Sequence, residues 1–564
     1  MGSRGTALSP PTTGGRLAGP FLAEEQLLYS RRAEPRQAKG IRMDCSRSGL
    51  NRRKTLLLGG SAVAAVASGW PVAALAQAST LRAAITGYTV IDTLDPGKAT
   101  LIPEFYVIEG LYNALMKFDA KMNPVPDLAE SVKASDDGAL EFRLRQGVQF
   151  HDGGDLTSDD VKFTIERLLD ENFDSPHKSK VSAVDRIETP DPLTVRLVTK
   201  QPFAPLLTFL ANAGTGTQIL SRKSVAAAGD DFGKKPVGTG AYMLKDWQPG
   251  ERVTVAAFEN YFGGKPQIST IDMPLIAEES SGVTALLAGQ IDLTSTAPLA
   301  DIPKLQQNPS IALLKQPGMN CRFISLNHRR PPFDDPSFRR ACSLAFDRNA
   351  MVSAILFGEG MPSAGLIPPS LEYAYRGATH PLTTYNAERA RAELAKSKYK
   401  PGQEGVVLSL GQTWWKRIAE VFVAQVNQTL GTKLTVEVTE ANRVFQRLQV
   451  ADYQACAWGW GWGWTGLIDA DQYTYEILHT KGWRNFEGYS NPKLDGMLEQ
   501  ARRELDKPKR GAIYKEAETA MLEDMPILPC FCSNIHTLMT KRVRGFEQLP
   551  FSNWGDQFAN LTIG

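Results

Sequence analysis

From Thr55 to Leu81 the chain runs for 27 residues without a charged side chain, and the fate of that run decides what the rest can become. It is long enough for a helix to cross a bilayer, which would tether every later residue to a membrane. Its composition argues otherwise. The run is built largely from Ala, Gly, Ser, Val and Leu, is interrupted by Gly59-Gly60 and Trp70-Pro71, and contains the small-x-small pattern Ala74-Leu75-Ala76. Arg52-Arg53-Lys54 stands directly before it. A positive n-region, an apolar h-region and a small-residue cleavage site together predict a secretory signal. Asn51-Arg52-Arg53-Lys54-Thr55-Leu56-Leu57 also resembles the twin-arginine export signal. The competing reading is an uncleaved membrane anchor. Residues 1–42 show no sustained apolar period and read as an extension ahead of a second start at Met43. Residues 1–76 are therefore expected to be an N-terminal extension and signal peptide, removed from a mature chain that works in the periplasm.

Setting that segment aside divides the charge. The whole chain carries a formal +2, but residues 1–76 hold 11 basic and 4 acidic side chains, leaving a net of −5 on the remainder. An acidic mature chain lacks the concentrated positive charge of a nucleic-acid binder, so no nucleic-acid partner is expected. With 564 residues, 42% of them hydrophobic, the chain has enough apolar material for at least two domains, and bulk disorder is excluded.

Cys45 precedes the apolar run, so it is not the lipidated cysteine of a lipoprotein signal. Five cysteines follow: Cys321, Cys342, Cys456, Cys530 and Cys532. No CxxC pair and no histidine cluster at ligand spacing accompany them, so neither a metal site nor another cofactor is called for. An oxidising compartment permits a disulfide, with Cys456 joined to Cys321 or Cys530 as candidate pairings, although spacing leaves the connectivity open.

Short strands and helices alternate along the mature chain. Strands are predicted at 81–86, 140–145, 291–293, 434–438 and 453–458. Helices are predicted at 104–115, from the Thr157–Asp160 cap onward, and at 280–288, 338–357, 386–396, 415–430, 493–505 and 508–524. The helix at 415–430 keeps Ile418, Val421, Phe422 and Val426 on one face and stops at Gly431. The fold class is mixed α/β, without the regular cadence of a barrel. Pro317-Gly318 and the stretch Pro526–Pro529 read as points where the chain passes between lobes.

Four ordered blocks carry a family resemblance. The first is Leu128-Ala129-Glu130-Ser131, Ser135-Asp136-Asp137-Gly138, Phe142–Arg145, Phe150-His151-Asp152-Gly153 and Leu156–Val161. The second is Pro236–Tyr242 with Trp247, Gly250, Tyr261 and Gly263–Pro266. The third is Asn327, Pro332–Asp335, Arg339–Ala341, Ala345–Arg348, Gly358 and Ile367–Pro369. The fourth runs from Asn491–Asp495 to Met525–Pro529. Together they resemble the family 5 extracellular solute-binding proteins, the dipeptide-, oligopeptide- and nickel-binding components of bacterial ABC importers. The resemblance implies a two-lobe periplasmic-binding-protein clamp of the Venus-flytrap type with an enlarged N-terminal lobe. Lobe I would hold 79–316, with a subdomain at about 121–229; lobe II would hold 317–526; and 527–564 would return to complete lobe I. It further implies a monomer that closes on a small-molecule or peptide ligand, docks transiently on ABC permease subunits and does no chemistry itself.

The tract Trp458-Gly-Trp460-Gly-Trp462-Gly-Trp464 reads as a strand with four indoles on one side and three glycines on the other. Trp458 is assigned to the core, Trp462 and Trp464 to a ligand, with the alternative that these rings only fill the interlobe core. Peptide binders of the family carry an aspartate just after such a tract, where it pairs with the peptide amine. This chain reads Trp464-Thr465-Gly466-Leu467-Ile468-Asp469, which puts Gly466 or Leu467 at the anchoring position. Asp469 is the substitute candidate, against a role as a turn residue. Thr465 lies in the same stretch. Tyr88, Asn320 and Arg322 complete the expected ligand-binding set. Tyr88 competes with a core role and Arg322 with a salt bridge; as a ligand contact, Arg322 would meet a carboxylate bidentately.

The expected function is capture of a peptide or peptide-like solute for import. Alternatives are a binding protein for an opine, sugar or metal chelate, a chaperone-like protein that recognises extended chains, and an exported hydrolase. His151-Asp152 tempts toward the last, but without a nucleophile.

Overall fold

Leu81, Ala83, Ala84, Ile85 and Thr86 are all buried in the strand Thr80–Thr86, the pattern of a strand covered on both faces by helices. Its neighbours bear this out, since Thr270–Ile276 and Leu293–Thr294 both pair with it in parallel. The computed structural model describes residues 79–564 except 136–138, 461–466 and 552–553, with the side chains of Gly459, Trp460 and Asp556 also left aside. The expectations for residues 1–76 lie outside the described residues.

A 12-stranded sheet organises the chain. On one side of it, Thr80–Thr86 is followed outward by Thr270–Ile276, Arg252–Ala257 and Tyr242–Gln248. On the other side, Glu404–Leu410 runs parallel to both Lys433–Thr439 and Ala455–Trp460, and Ala455–Trp460 pairs antiparallel with Cys321–Leu326. One strand belongs to both sides. Ile527–Thr540 pairs with Cys321–Leu326 through Ile527–Phe531, then with Ile311–Pro317 from Asn534 to Thr540. The exchange of neighbours falls at Cys532-Ser533, beside the turn Gly318–Asn320 that joins the two strands it pairs with. A separate four-stranded antiparallel sheet is built from Ala129–Ala134, Leu140–Leu144, Thr194–Thr199 and Val184–Asp191. The segment carrying it meets the late helices Pro492–Arg503 and Lys507–Asp524, where the Ala204 amide donates to the Arg502 carbonyl at 2.8 Å and Lys507 donates to Asn123.

Most expected elements form within a residue or two of their predicted bounds. Gly431 ends the helix Thr413–Leu430 with φ +70°, a left-handed cap that glycine adopts without strain. The helix expected at 104–115 ends early, at Leu111, where Tyr112 is extended, and two further differences are larger. The helix expected at 338–357 is two helices, Pro336–Leu344 and Arg348–Leu356, because the Asp347 carboxylate accepts from the Ala350 amide at 3.0 Å and starts a new helix. The helix Ala441–Gln449 was not expected, although Ala441, Val444, Phe445 and Leu448 repeat at helical spacing and face the core.

The disulfide expectation is also corrected. Cys321, Cys342, Cys456, Cys530 and Cys532 are all free and buried. Cys456 lies opposite Ser325 whereas Cys321 lies opposite Trp460. Four residues of strand therefore separate Cys456 from Cys321, about 13 Å, and Cys530 is on the far side of the intervening strand. Neither candidate pairing is within disulfide reach.

Candidate functional site

In open α/β sheets, ligands collect where parallel strands end at their carboxyl termini. This sheet has two such places. At the first, Thr80–Thr86 ends beside Leu293–Thr294, and the Thr86 hydroxyl lies 3.0 Å from that of Thr294, 3.1 Å from Ser295 and 2.8 Å from Thr296. Gly87 follows with φ +81° and donates to the Ile276 carbonyl at 2.9 Å. Tyr88 comes next, half-buried against the core that includes Tyr106. Burial, with Tyr106 and Glu279 nearby, holds its hydroxyl well above the ordinary tyrosine range, so it stays a neutral donor.

At the second, Glu404–Leu410 ends at Gly411, and the helix Thr413–Leu430 begins with Trp414 and Trp415, both half-buried. The Trp415 ring stacks on Trp458 with centroids 6.5 Å apart, and Phe445 meets Trp458 edge-on at 4.6 Å. Trp414 stands perpendicular to Phe531 of the shared strand at 5.8 Å. Arg322 is fully buried, and its guanidinium carbon lies 5.3 Å from the centroid of Trp415. Burial brings its pKa down to about 10, still charged at neutral pH. Arg322 sits directly across from Gly459, inside the Trp-Gly tract.

The expected residues therefore sort by position. Arg322 and Trp458 come together with Trp415, and Trp458 is a core residue at 6% exposure. Trp462, Trp464, Thr465 and Gly466 lie outside the described residues. The two ends of that stretch are held at the crossover turn: Trp460 pairs with Cys321, and the Tyr473 hydroxyl lies 3.0 Å from the Leu467 carbonyl and 2.7 Å from that of Met319. Leu467 is buried in the core, presenting a carbonyl and no charge. The side-chain amide of Asn320 is committed to the shared strand, donating to the Ser533 carbonyl at 3.0 Å and accepting from the Ser533 amide at 2.8 Å. Asp469 caps the helix Ala470–Leu478 by accepting from the Asp471 amide at 2.9 Å, and it pairs with Arg510, both side chains buried. Tyr88 belongs to the other half of the sheet. Trp414 and Trp415 are site residues that the sequence did not single out. Their signal was a glycine and a helix start directly after a buried parallel strand.

His151 and Asp152 are structural. The Gly238 amide donates to His151 Nδ1 at 3.2 Å, and Nε2 faces the Gly240 carbonyl at 3.0 Å. Both ring nitrogens are thus occupied in a neutral imidazole, whose pKa burial pushes down to about 4. Asp152 accepts from Gly154 and Ser224. This explains why the first two motif blocks occur together, since one docks on the other. Gly238 and Gly240 have to be glycine because a Cβ there would stand 2.1 Å and 2.3 Å from the carbonyl oxygens of Leu111 and Gly110.

A sequence profile of bacterial extracellular solute-binding proteins, family 5 (middle), matches residues 123–485. The glutathione-binding protein GsiB of Escherichia coli (strain 536) is 28% identical over 479 residues, which cover 83% of this chain and 92% of GsiB. The structure of HbpA2 from Haemophilus parasuis superposes with a TM-score of 0.76 at 25% identity, covering 86% of this chain and all of that one. AgaA from A. tumefaciens R10, solved in complex with agropinic acid, gives a TM-score of 0.70 at 26% identity over 86% of this chain and 99% of AgaA. The shared architecture is that of two-lobe periplasmic binding proteins. Among the described residues no helix is long and apolar enough to cross a membrane.

Proposed function

Because the chain belongs to the bacterial extracellular solute-binding proteins of family 5, we propose that it captures a small peptide-like solute bearing a carboxylate and delivers it to an ABC permease. The observation that carries this reading is the position of Arg322. Keeping a guanidinium charged and fully buried is costly, so where it stands is informative. It stands at the Trp-Gly tract, over an indole, beside the turn where both halves of the sheet meet. A planar, forked donor suits a ligand carboxylate, and the half-buried Trp414 and Trp415 suit the flat faces of amide or ring groups. Leu467 supplies no charge for an ammonium. The favoured ligands are therefore those whose recognition does not hinge on a free α-amine, such as γ-linked or modified peptides and opine-like conjugates of amino acids.

Two of the relatives support this ligand class, since GsiB binds glutathione and AgaA was solved with agropinic acid, both acidic, amino-acid-derived solutes. On this reading Trp462 and Trp464 contact the ligand, residues 79–316 with 527–564 form one lobe and 317–526 the other, and ligand binding closes them. The protein acts as an exported monomer after loss of residues 1–76 and performs no chemistry.

The test is purification of residues 77–564 followed by mass spectrometry of any retained small molecule and a thermal-shift screen. Carboxylate-bearing peptides and opines are expected to raise Tm, and their methyl esters are not. Best binding by free-amine dipeptides, or by esters as well as acids, overturns the ligand assignment. Turnover of the bound molecule overturns the non-enzymatic reading.

A further inference from the structure

The crossover between the two halves of the sheet carries two thiols. Arg322 pairs with Phe531 across the strands Cys321–Leu326 and Ile527–Thr540. One step further out, the side chain of Asn320 hydrogen-bonds the Ser533 backbone. The pairs 322/531 and 320/533 bracket Cys321 and Cys532, which therefore face each other as direct cross-strand neighbours. The Cys321 thiol donates to the Gly365 carbonyl at 3.3 Å, and the nearby Cys532 thiol helps hold it protonated, well above the ordinary thiol range. Direct neighbours in an antiparallel pair have Cβ atoms about 4.5–5.5 Å apart, close to what a disulfide spans after a small adjustment. Cys530 is excluded from this register. The ladder steps from Phe323↔Pro529 to Arg322↔Phe531, so Cys530 is the extra residue of a bulge.

We infer that Cys321 and Cys532 form an oxidation site that staples the two crossover strands with a disulfide. The oxidant is a small disulfide, RSSR. One cysteine thiolate attacks it and releases RS⁻; the other then attacks the mixed disulfide and releases a second RS⁻. The two protons lost by the cysteines end on the two leaving thiolates, so one RSSR is reduced to two RSH as one protein disulfide forms. Cys321 and Cys532 are 1% and 2% exposed, so exchange requires the crossover to open, and oxidation reports that opening. The chain leaves the crossover at residue 321 and returns at 532. The bond would therefore close nearly the whole middle segment into one covalent loop, fixing its base while its far parts move.

The experiment incubates the purified, ligand-free protein with bis(2-hydroxyethyl) disulfide, alkylates remaining thiols and maps the peptides by mass spectrometry. That oxidant is not peptide-like, so the result is independent of the ligand proposed above. The expected product is a single Cys321–Cys532 cross-link, with Cys342, Cys456 and Cys530 alkylated and Tm raised by about 5 °C. The cross-link persists in Cys456→Ser. In Cys532→Ser it is replaced by a mixed disulfide on Cys321. Full alkylation of all five thiols in the unmutated protein, a cross-link through Cys530, or only a mixed disulfide overturns the inference. Mapping on the unmutated chain is decisive even where a variant fails to fold.

Discussion

Asn320 and Ser533 lie 213 positions apart in sequence, and their three hydrogen bonds join the two strands that cross between the halves of the sheet. Asn320→Ala removes all three and leaves the buried Ser533 amide without its acceptor. Urea unfolding is expected to show a loss of about 2–3 kcal/mol. If Asn320 were instead a ligand contact, affinity would fall with little change in stability.

Arg322 separates charge from shape. Arg322→Lys keeps the positive charge but loses the planar fork and its stacking on Trp415. For a carboxylate ligand, titration calorimetry is expected to show affinity falling about tenfold in Arg322→Lys and about a hundredfold in Arg322→Met.

Asp469 should behave in the opposite way. Its carboxylate caps a helix and pairs with Arg510, both out of solvent. Asp469→Ala leaves a buried, uncompensated guanidinium, and chemical denaturation should show a cost of about 3–5 kcal/mol. Ligand affinity of the folded fraction should be unchanged.

Glu104, Glu487 and Glu518 are each pushed up to about 7 by burial. A carboxyl whose folded pKa lies above its unfolded value stabilises the fold while protonated. That contribution is complete below about pH 4.5 and is lost as pH rises through 7. Their part of the stability curve therefore falls between about pH 5 and pH 8. Glu518→Gln keeps an acceptor for the amides of Leu366 and Ile367, and it should remove about a third of that slope in Tm measured across the window.

Local features were legible in the sequence and long-range ones were not. Gly431 as a helix stop, the Thr157–Asp160 cap and the strand at 81–86 all follow from residue chemistry within one turn or one strand. The break at Asp347 was missed because a single side chain accepting one amide outweighed an apolar period that continued through it. Arg322 was picked out by position and chemistry, but its place opposite Gly459 and over Trp415 depends on neighbours far along the chain. The commitment of Asn320 to Ser533 and of Asp469 to Arg510 is of the same kind. Nothing within a few residues of Asn320 reveals what occupies it; at Asp469 the local signal pointed to the turn role, and only the pairing with Arg510, 41 positions on, was out of reach.

The strand Ile527–Thr540 has a consequence for how the chain is made. Four strands from both halves of the sheet, Leu293–Thr294, Ile311–Pro317, Cys321–Leu326 and Gly360–Pro362, take their hydrogen bonds from it. It follows all four of them in the chain, so the edges it will pair with stay open until it is made. Contacts of such long sequence separation slow folding, and open edges recruit other chains. A chain truncated before residue 527 would expose both halves at once. Pairing of the two halves is thus deferred until residues 527–540 are available, leaving an interval in which a chaperone can hold the chain.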